Sequence, residues 1–546
     1  MSKAFYITAA PVGAVPKYLD PLEPKFISGL LLDNLVPDAK IAETLQILKR
    51  EGWETAPAGG LLLQAGYDEC LRRDDFARLN ESQQAKSFHA LEAAGWRVGN
   101  GVWQSPRPQA DMSRACLLPR ALLESLSSRQ LQRQLVLLLT TFGWECNMHG
   151  DLEWRLERLS SYLPADMVEQ IRSDAPAVFN ALLEAGWGVC EPGLWQPGKA
   201  RSPHLPLTTE RIVSDSTQSA LAGAAVIHLH TRDMQDLSSL RIPGLGADIA
   251  TGSQRNQIVL EQYEDIVPAM RRAAPETLLN LSTSARGDRS ASQSPLRRAH
   301  LKPYAGAAAP EIASLSPGAV VFQVGGGYDN PNAFLAEQLR HFRQAGVRPE
   351  IEVFNHTITE NAVTLYRKPL EESGLPVLFM LVAGVDQHRR DPVSGELDDD
   401  SLIGGASRKE IAKLLLQEEE TATAAAARLA ADQLRPTVET LRRHFLNCRI
   451  SLLFPGAMHA ILADVAIALQ LDGIRVGLED GLNLLDPLVP GGIRKARGTA
   501  EQVKALRLEL EDKGYRILSA EEVRRDLDMR VQPALAAAAP ADAETI

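Results

Sequence analysis

The chain has 546 residues, a formal net charge of −11 at pH 7, 45% hydrophobic residues and 23% charged residues. This length exceeds what one hydrophobic core usually serves, so we expect a soluble protein with at least two domains. The negative net charge argues against a nucleic-acid partner bound by bulk electrostatics.

Sequence features that would place the chain outside the cytoplasm are missing. No apolar run reaches the roughly 18 residues that predict a membrane span, and the first residues lack a signal peptide's apolar stretch and cleavage site. The five cysteines are scattered without a Cys-x-x-Cys pair, which predicts neither a disulfide framework nor a thiolate zinc site. We therefore expect a cytoplasmic protein without a membrane partner.

The N-terminal third combines one short strand with a repeated motif. Residues 4–14 read as a buried strand ended by Pro11 and Gly13. From 22 to 204, amphipathic helices recur, each ending in Gly-Trp, and all seven tryptophans of the chain precede residue 200. The four Gly-Trp pairs predict two pseudo-symmetric pairs of helix-plus-hairpin units that pack on one another. We expect the tryptophans to form a core rather than a ligand platform.

From residue 205 onward, strands alternate with helices. Thr208 is placed to cap a helix that runs to about Gly223. Eight such strands separated by helices predict an α/β fold, a (β/α)8 TIM barrel, with catalytic groups at the carboxyl ends of the strands. The strand candidates are residues 4–10, 224–230, 278–282, 319–322, 350–354, 376–383, 450–454 and 474–478.

The predicted domains follow from this alternation and its two interruptions. The repeat block separates the first strand from its helix, so it is an inserted α+β cap at the catalytic rim. An acidic, alanine-rich helical stretch forms a second insertion, and the Ala/Pro-rich C-terminus is predicted to be disordered. The boundaries are 1–21 for the first barrel strand, 22–204 for the cap, 205–385 for the barrel, 386–447 for the helical insertion, 448–525 for barrel completion and 526–546 for the tail.

A His-x-His pair closes the second predicted strand. His228 and His230 project from the same strand face because side chains alternate with period two. Two imidazoles form half of a metal site, and Glu479, at the end of the last predicted strand, is the best candidate for completing it. Two histidines and one carboxylate are a common catalytic zinc set. An isolated pair fits a hydrogen-bonded pair of core histidines equally well.

Further polar residues at strand ends indicate acid–base chemistry. Arg475 is placed to hold Asp480 ionised, as the base for a carbon acid requires, and zinc would stabilise the resulting enolate as a Lewis acid. Glu352 is a second carboxylate that fits a structural ion pair as well as a functional role. The hydroxyls of residues 282–284 fit substrate-carboxylate donors or helix caps.

Five motifs occur in a fixed order along residues 4–15 and about 205–525. They are Ile7-Thr8-Ala9-Ala10, the run from Ala224 to Asp233, Ser282-Thr283, Glu352-Val353-Phe354 and the run from Arg475 to Asp480. Together they resemble the beta-keto acid cleavage enzymes, a family that includes the 3-keto-5-aminohexanoate cleavage enzyme of lysine fermentation.

The resemblance implies a zinc-dependent TIM barrel that condenses a beta-keto acid with acetyl-CoA and releases acetoacetate and an acyl-CoA. By this resemblance His228, His230 and Glu479 bind Zn²⁺. Asp480, supported by Arg475, takes the proton from the keto acid. Substrate-binding positions are Ser282, Thr283, Glu352 and Val15. The insertions are foreign to the compact family form, and we expect them to cover the site or to build a homo-oligomer contact.

Two departures from the family pattern concern the substrate. Val15 stands where the aminohexanoate enzyme has a glutamate for the substrate's amino group. Ala319 and Val321 stand where that enzyme has a threonine and an asparagine. Because a buried ammonium group needs an acidic partner, we expect a neutral, apolar beta-keto acid.

Two other functions compete with this one. An amidohydrolase-like barrel also begins with His-x-His on a strand, but it needs further ligands at later strand ends, where His356 is the only conspicuous histidine. A non-catalytic scaffold or sensor would use the Trp-rich repeats to bind a partner. The presence of intact metal and acid–base residues argues against a relic barrel; these are His228, His230, Arg475, Glu479 and Asp480. A hydrolase would need no CoA, and a scaffold would show no turnover.

Overall fold

The computed structural model of the chain describes most of the barrel and parts of the N-terminal insertion. The described residues are 4–13, 17–18, 38–50, 53–55, 60–63, 70–72, 80–93, 97–99, 102–104, 117–142, 144–154, 161–190, 195–197, 201–233, 239–241, 248–250, 258–284, 293–322, 327–391, 393–417, 419–485 and 492–529. The predicted tail beyond residue 529 lies outside them.

Eight parallel strands close into a barrel. Each strand pairs in parallel with the next. The first strand, Ala4–Ala9, pairs with both the second, Val226–Leu229, and the last, Gly473–Val476, which closes the ring. The prediction of a TIM barrel is confirmed. The strands are β1 (Ala4–Ala9), β2 (Val226–Leu229), β3 (Leu278–Leu281), β4 (Ile312–Leu315), β5 (Arg348–Val353), β6 (Val377–Val382), β7 (Cys448–Leu453) and β8 (Gly473–Val476).

The strand sequences explain why they lie at the centre. Parallel strands covered by helices are buried on both faces, so near-continuous apolar runs such as Val377–Val382 are favoured there. A predicted barrel strand at 319–322 was wrong. β4 lies earlier, between Pro310 and Pro317, and Val320–Val321 instead pairs with Gly327–Tyr328 in an antiparallel hairpin beyond the strand end. The prediction selected the more apolar run at 319–322 instead of the equally long Ile312–Leu315, which contains a serine.

Helices surround the barrel and connect its strands. Thr208 caps the helix after the insertion by accepting a hydrogen bond from the Arg211 backbone N–H at 3.3 Å, as predicted. The helices are Thr209–Ala222, Leu260–Ala273, Leu296–Ala299, Asn332–Ala345, His356–Thr364, Arg367–Glu371, Gly405–Leu415, Glu420–His444, Gly456–Ile461 (3-10), Leu462–Ala468, Thr499–Asp512 and Ala520–Asp526.

The segment 386–447 contains the crossover between β6 and β7. Helix Glu420–His444 buries an alanine-rich face, including Ala426 and Ala430, and contacts β7 and helix His356–Thr364. A hairpin of His388–Arg390 and Leu397–Asp399 precedes it. Further short pairs are Ser239–Arg241 with Asp248–Ala250 and Asn483–Leu485 with Ile493–Lys495.

The amino end of the barrel is covered by helix Ala520–Asp526, which follows the short strand Arg516–Ile517 beside β1. A buried ion-pair cluster anchors this helix. Glu311 accepts hydrogen bonds from Arg524 at 2.6 Å and from Arg271 at 2.8 Å. The cluster lies at the amino ends of the strands, opposite their carboxyl ends, so it stabilises the fold there.

The insertion is built from short helices and small sheets. Strands after the first Gly-Trp pair join strands near the fourth: Trp53–Thr55 pairs with Trp195–Pro197, and Leu61–Leu63 pairs with Ser161–Leu163 and Gly188–Val189. The second and third repeats form three-stranded sheets of Cys70–Arg72, Arg97–Gly99 and Val102–Gln104, and of Leu117–Leu118, Trp144–Cys146 and Leu152–Trp154.

The helices of the insertion carry the apolar faces that these sheets cover. They are Asp38–Arg50, Glu81–Ala93, Arg120–Glu124, Arg129–Thr141, Ala165–Asp174 and Pro176–Glu184. A parallel pair of Lys17–Tyr18 and Arg201–Ser202 joins the two ends of the insertion. Trp53, Trp144 and Trp187 are buried, as expected of a packing role.

Ser161→Ala is expected to lower the free energy of unfolding by about 1–3 kcal/mol, because it removes the acceptor of a buried indole N–H. The Trp144 Nε1–H donates to Ser161 Oγ at 2.6 Å. Denaturant unfolding monitored by fluorescence measures the loss. Trp144→Phe removes the indole donor itself, so the serine substitution should lower the free energy of unfolding by less in that background. An equal loss in both backgrounds would contradict this assignment.

The insertion contacts the barrel beside β8. Helix Arg129–Thr141 packs against Ile493–Lys495, in the hairpin that follows β8, and Arg497 pairs with Glu145 at 3.3 Å. The contact therefore lies on the side of the barrel that carries the carboxyl ends of the strands. No helix in the described part of the chain is long and apolar enough to span a bilayer.

Candidate metal and acid–base site

The predicted ligands meet at the carboxyl end of the barrel. His228 lies on β2, His230 follows it, and Glu479 follows β8. Both strands flank β1, so residues about 250 positions apart in sequence become neighbours. Among the described residues, His228, His230 and Glu479 are the group whose ligand atoms all lie within 4.8 Å of one another.

The donor atoms converge on one point. His228 Nε2 lies 3.1 Å from His230 Nε2, His230 Nε2 lies 3.0 Å from Glu479 Oε1, and His228 Nε2 lies 3.9 Å from Glu479 Oε2. Neighbouring ligand atoms around a tetrahedral zinc lie roughly 3.3 Å apart when the bonds are about 2.0–2.1 Å. Two of the separations are close to that spacing, and the third, to the other Glu479 oxygen, is longer. The donor set of two imidazoles and one carboxylate fits a zinc ion.

The protonation states also suit metal binding. Burial, reinforced by Arg475, holds the pKa of His228 well below its usual value, so the imidazole is neutral. Burial alone would raise the pKa of Glu479, but Arg475 and the two imidazoles hold it well below its usual range. Neutral imidazole and ionised carboxylate are the forms that coordinate metals.

The charged groups around this point are predominantly acidic. Among the described residues, carboxylates outnumber guanidinium groups here, which favours a bound cation. The acids are Glu350, Glu352, Glu479 and Asp480, and the bases are Arg232, Arg475 and, beside Glu352, Arg297.

Arg475 organises the acids. Its Nη2 and Nε donate to the two carboxylate oxygens of Asp480 at 2.7 and 3.0 Å, a bidentate pair. It also contacts Glu479 at 3.1 Å and Glu352 at 3.9 Å. The predicted support of Asp480 by Arg475 is therefore present in the structure.

Two of the three carboxylates beside Arg475, Asp480 and Glu352, have pKa values closer to neutrality than usual. Burial raises the pKa of Asp480 to about 6, although Arg475 opposes this shift. Burial likewise raises the pKa of Glu352 to about 7 against the same guanidinium. A base with a pKa near 6 is ionised at neutral pH yet strong enough to accept a proton from carbon.

A cavity of about 240 Å³ opens beside these groups. Its lining combines polar residues (one histidine, four acids, Arg475 and two serines) with apolar ones. The cavity can therefore hold a polar reacting group and an apolar neighbour together. The lining residues are His230, Ser282, Ser284, Val320, Phe322, Tyr328, Glu352, Phe354, Val382, Val385, Asp386, Leu453, Pro455, Arg475, Glu479 and Asp480.

Not every residue predicted for substrate binding faces this cavity. Ser282 lines it, but Thr283 Oγ1 donates to the Ser314 carbonyl at 2.7 Å and ties β3 to β4. Val321 donates its backbone N–H to Gln387, whereas its neighbours Val320 and Phe322 line the wall. Val15 lies outside the described residues. His356, the possible fourth ligand of an amidohydrolase, is exposed and does not join the ligand group.

Gly13 and Arg232 are site residues that sequence reasoning missed. A Cβ atom on Gly13 would overlap the Glu479 side chain, so only glycine leaves room for this ligand. The Gly13 carbonyl accepts a hydrogen bond from the buried Arg232 guanidinium. The Pro11–Gly13 turn marked this position as a strand end, but no sequence pattern links it to Glu479.

Gly13→Ala is expected to displace Glu479 and lower zinc affinity by at least about 10-fold, since even an outer contact to a metal ligand is worth that much. Zinc affinity measured by chelator competition tests this effect. Gly346→Ala is the control for glycine loss, because Gly346 ends a helix in the left-handed conformation with open space around its Cα. That control should lose stability but keep its zinc. Wild-type zinc affinity in the Gly13 variant would contradict the packing argument.

Sequence profiles of two families match the chain. The profile described as beta-keto acid cleavage enzyme matches residues 195–392, and the profile described as Oxalate Biosynthetic Component A, N-terminal domain, matches residues 32–188. The boundary between the two matches lies close to the predicted boundary between cap and barrel.

Curated relatives match the barrel part. The 3-dehydrocarnitine:acetyl-CoA trimethylamine transferase of Rhizobium meliloti is 29% identical over 206 residues, covering 34% of this chain and 60% of the relative. The 3-keto-5-aminohexanoate cleavage enzyme of Acetoanaerobium sticklandii is 28% identical over 188 residues, covering 34% and 59%. The chain thus spans about three fifths of the curated relatives that it matches.

Solved structures match over nearly the whole chain. A ternary complex of ObcA with a C4-CoA adduct and oxalate is 49% identical, covers 96% of this chain and 100% of that chain, and has a TM-score of 0.80. A binary complex of ObcA with oxaloacetate is 49% identical with a TM-score of 0.79 and covers 96% and 99%. The likeness therefore includes the insertion as well as the barrel.

Proposed function

This chain belongs to the beta-keto acid cleavage enzyme family, and from that premise we propose that it is a zinc-dependent acyltransferase that cleaves a beta-keto acid with acetyl-CoA. The observation that carries the proposal is the convergence of His228, His230 and Glu479 beside the Arg475–Asp480 pair in one cavity. The curated relatives named as acetyl-CoA transferases and keto acid cleavage enzymes support the same chemistry.

The site residues have different roles in this reaction. His228, His230 and Glu479 would hold the zinc, which when bound supplies a Lewis acid for the keto oxygen. Asp480 accepts a proton from the carbon next to the keto group, and the Arg475 guanidinium keeps the carboxylate oriented. Ser282 and Ser284 line the same cavity, where a serine hydroxyl can donate to a substrate carboxylate.

We propose oxaloacetate as the keto acid. Val15 stands where the aminohexanoate enzyme has a glutamate for the substrate's amino group, so the sequence does not favour a cationic substrate. That departure accommodates an anionic substrate as readily as the neutral one predicted from sequence. ObcA, whose complexes contain oxaloacetate or oxalate, is 49% identical across 96% of this chain. A Glu352 carboxyl with its pKa raised to about 7 by burial is partly protonated at neutral pH, which reduces repulsion toward an anion.

The reaction balances with one water molecule. The C2–C3 bond of oxaloacetate breaks, and C3 bonds to the acetyl carbonyl carbon to give acetoacetate. The remaining two-carbon acyl group passes to the CoA sulfur, and water then releases it as oxalate. Oxaloacetate, acetyl-CoA and water thus yield acetoacetate, oxalate, CoA and a proton.

A substrate panel with acetyl-CoA tests the proposal. Oxaloacetate, 3-oxopentanoate and 3-keto-5-aminohexanoate are each incubated with the enzyme, with added zinc or with a chelator, and acetoacetate and oxalate are measured. We expect zinc-dependent turnover that is fastest with oxaloacetate. Faster turnover of 3-oxopentanoate would favour the neutral substrate. Keto acid breakdown without acetyl-CoA would indicate a hydrolase, and no turnover of any substrate would favour a scaffold.

A further inference from the structure

A buried carboxylate and amide lie behind the first zinc ligand. Asn280 on β3 is the direct neighbour of His228 in the parallel β2–β3 pair, so both side chains project to the barrel interior. Asn280 Nδ2 donates to Glu350 Oε1 at 2.8 Å, and both residues are almost completely buried. The Asn280 side chain is also a polar neighbour of the His228 ring. The three groups thus form a line from Glu350 to the imidazole.

The unsatisfied atoms in this line are complementary. Within the described part of the chain, His228 Nδ1 and Asn280 Oδ1 are both buried and neither completes a hydrogen bond. His228 Nε2 faces His230 and Glu479, so Nε2 is the nitrogen available to a metal and Nδ1 carries the proton. An N–H donor and a carbonyl acceptor, each otherwise unpaired, therefore lie on directly paired residues of adjacent strands.

Glu350 fixes which end of the amide faces the histidine. An ionised carboxylate can only accept, so the Asn280 NH2 group must face Glu350, and the amide oxygen is left for His228. We propose that Glu350 and Asn280 are positioning residues that hold His228 in the tautomer and orientation that zinc requires. This inference rests on the zinc-binding part of the proposed function. The two residues touch neither substrate nor metal.

Replacing Asn280 by leucine removes the acceptor while filling the same space. Loss of an outer partner of a metal-binding histidine typically weakens metal affinity about 10–100-fold. We expect that loss for Asn280→Leu. Asn280→Asp alone should also weaken zinc binding, because it sets two carboxylates against each other without a shared donor.

A double variant separates positioning from packing. In Asn280→Asp/Glu350→Gln, the introduced glutamine NH2 donates to the introduced aspartate, whose oxygens also accept from His228 Nδ1. The line is satisfied again with the same total charge, so we expect zinc affinity to return to within a few-fold of wild type. A residue that acted only through the stability of the fold would not show this recovery pattern.

The control is another buried hydrogen bond inside the barrel. The Tyr6 hydroxyl and Ser451 Oγ lie 2.7 Å apart, and neither belongs to the ligand group. Tyr6→Phe should change thermal stability without changing zinc affinity.

Zinc affinity of each folded variant is measured by competition with a chromophoric chelator, and thermal unfolding is measured in excess chelator. The expected result is a 10–100-fold loss in the leucine variant, recovery in the double variant and no loss in Tyr6→Phe. Wild-type affinity in the leucine variant, or an equal loss in Tyr6→Phe, would overturn the positioning role while leaving the proposed function intact. A wild-type protein that binds no zinc would overturn both.

Discussion

Glu479→Gln is expected to weaken zinc binding by more than about 100-fold, beyond the loss typical of an outer contact, and to abolish turnover at zinc concentrations that saturate the wild type. Glu479 provides the only carboxylate in the ligand group of the described residues, and Arg475 and the imidazoles keep it ionised. Glutamine keeps the shape but removes the charge that attracts the cation. Chelator competition gives the affinity, and acetoacetate formation gives the turnover.

Glu311→Gln is the matched control. Glu311 is also a buried, ion-paired carboxylate of the same barrel, but it pairs with Arg271 and Arg524 at the opposite end. Its substitution should lower the unfolding temperature and leave zinc affinity unchanged. If the Glu479 variant kept wild-type zinc affinity, or if both variants lost it equally, Glu479 would not be a ligand.

The convergence of His228, His230 and Glu479 was predictable because it depends on local periodicity and on fold topology. Alternation along a strand places His228 and His230 on one face without any tertiary information. A closed barrel of eight parallel strands makes β8 and β2 neighbours of β1, and this brings Glu479 to the histidines. Sequence order within a TIM barrel therefore carries spatial information that an irregular fold would not supply.

Contacts across the barrel interior were not predictable in the same way. Gly13 makes room for Glu479, and Asn280 reaches Glu350 two strands away, but neither contact has a sequence spacing that identifies it. Thr283 shows the converse, since a hydroxyl at a strand end can bond a neighbouring strand instead of a substrate. The misplaced fourth strand arose because apolar content, not pairing, was the signal for strands.

The raised pKa values also needed the structure. Sequence reasoning paired Arg475 with Asp480 and expected the charge pair to keep the acid ionised. The pairing is present, but burial outweighs it and raises the pKa of Asp480 to about 6. The degree of burial depends on residues from several strands and their loops, which no local pattern specifies. As the proposed base, Asp480 is consequently better matched to proton transfer near neutral pH than the sequence suggested.

Asp480→Asn is expected to lower kcat by about 10²- to 10⁴-fold, the usual contribution of a general base, while zinc affinity stays within a few-fold of wild type. Asparagine retains an oxygen that accepts from Arg475 but cannot take a proton. Because Asp480 must be ionised to act, wild-type kcat should fall as the pH drops through about 6, and this acid limb should be absent from the variant's residual activity.

Asp472→Asn serves as the control, since Asp472 lies just before the same strand and accepts from the Ile450 backbone N–H at 2.9 Å. An amide oxygen can accept that bond, so this variant should keep its kcat and its acid limb. The comparison holds strand β8 constant and changes only which end loses a carboxylate. Two outcomes would contradict the assignment of Asp480 as the base: a variant with wild-type kcat, or a variant that loses zinc together with activity. Proton removal would then belong to another group in the cavity, such as Glu352.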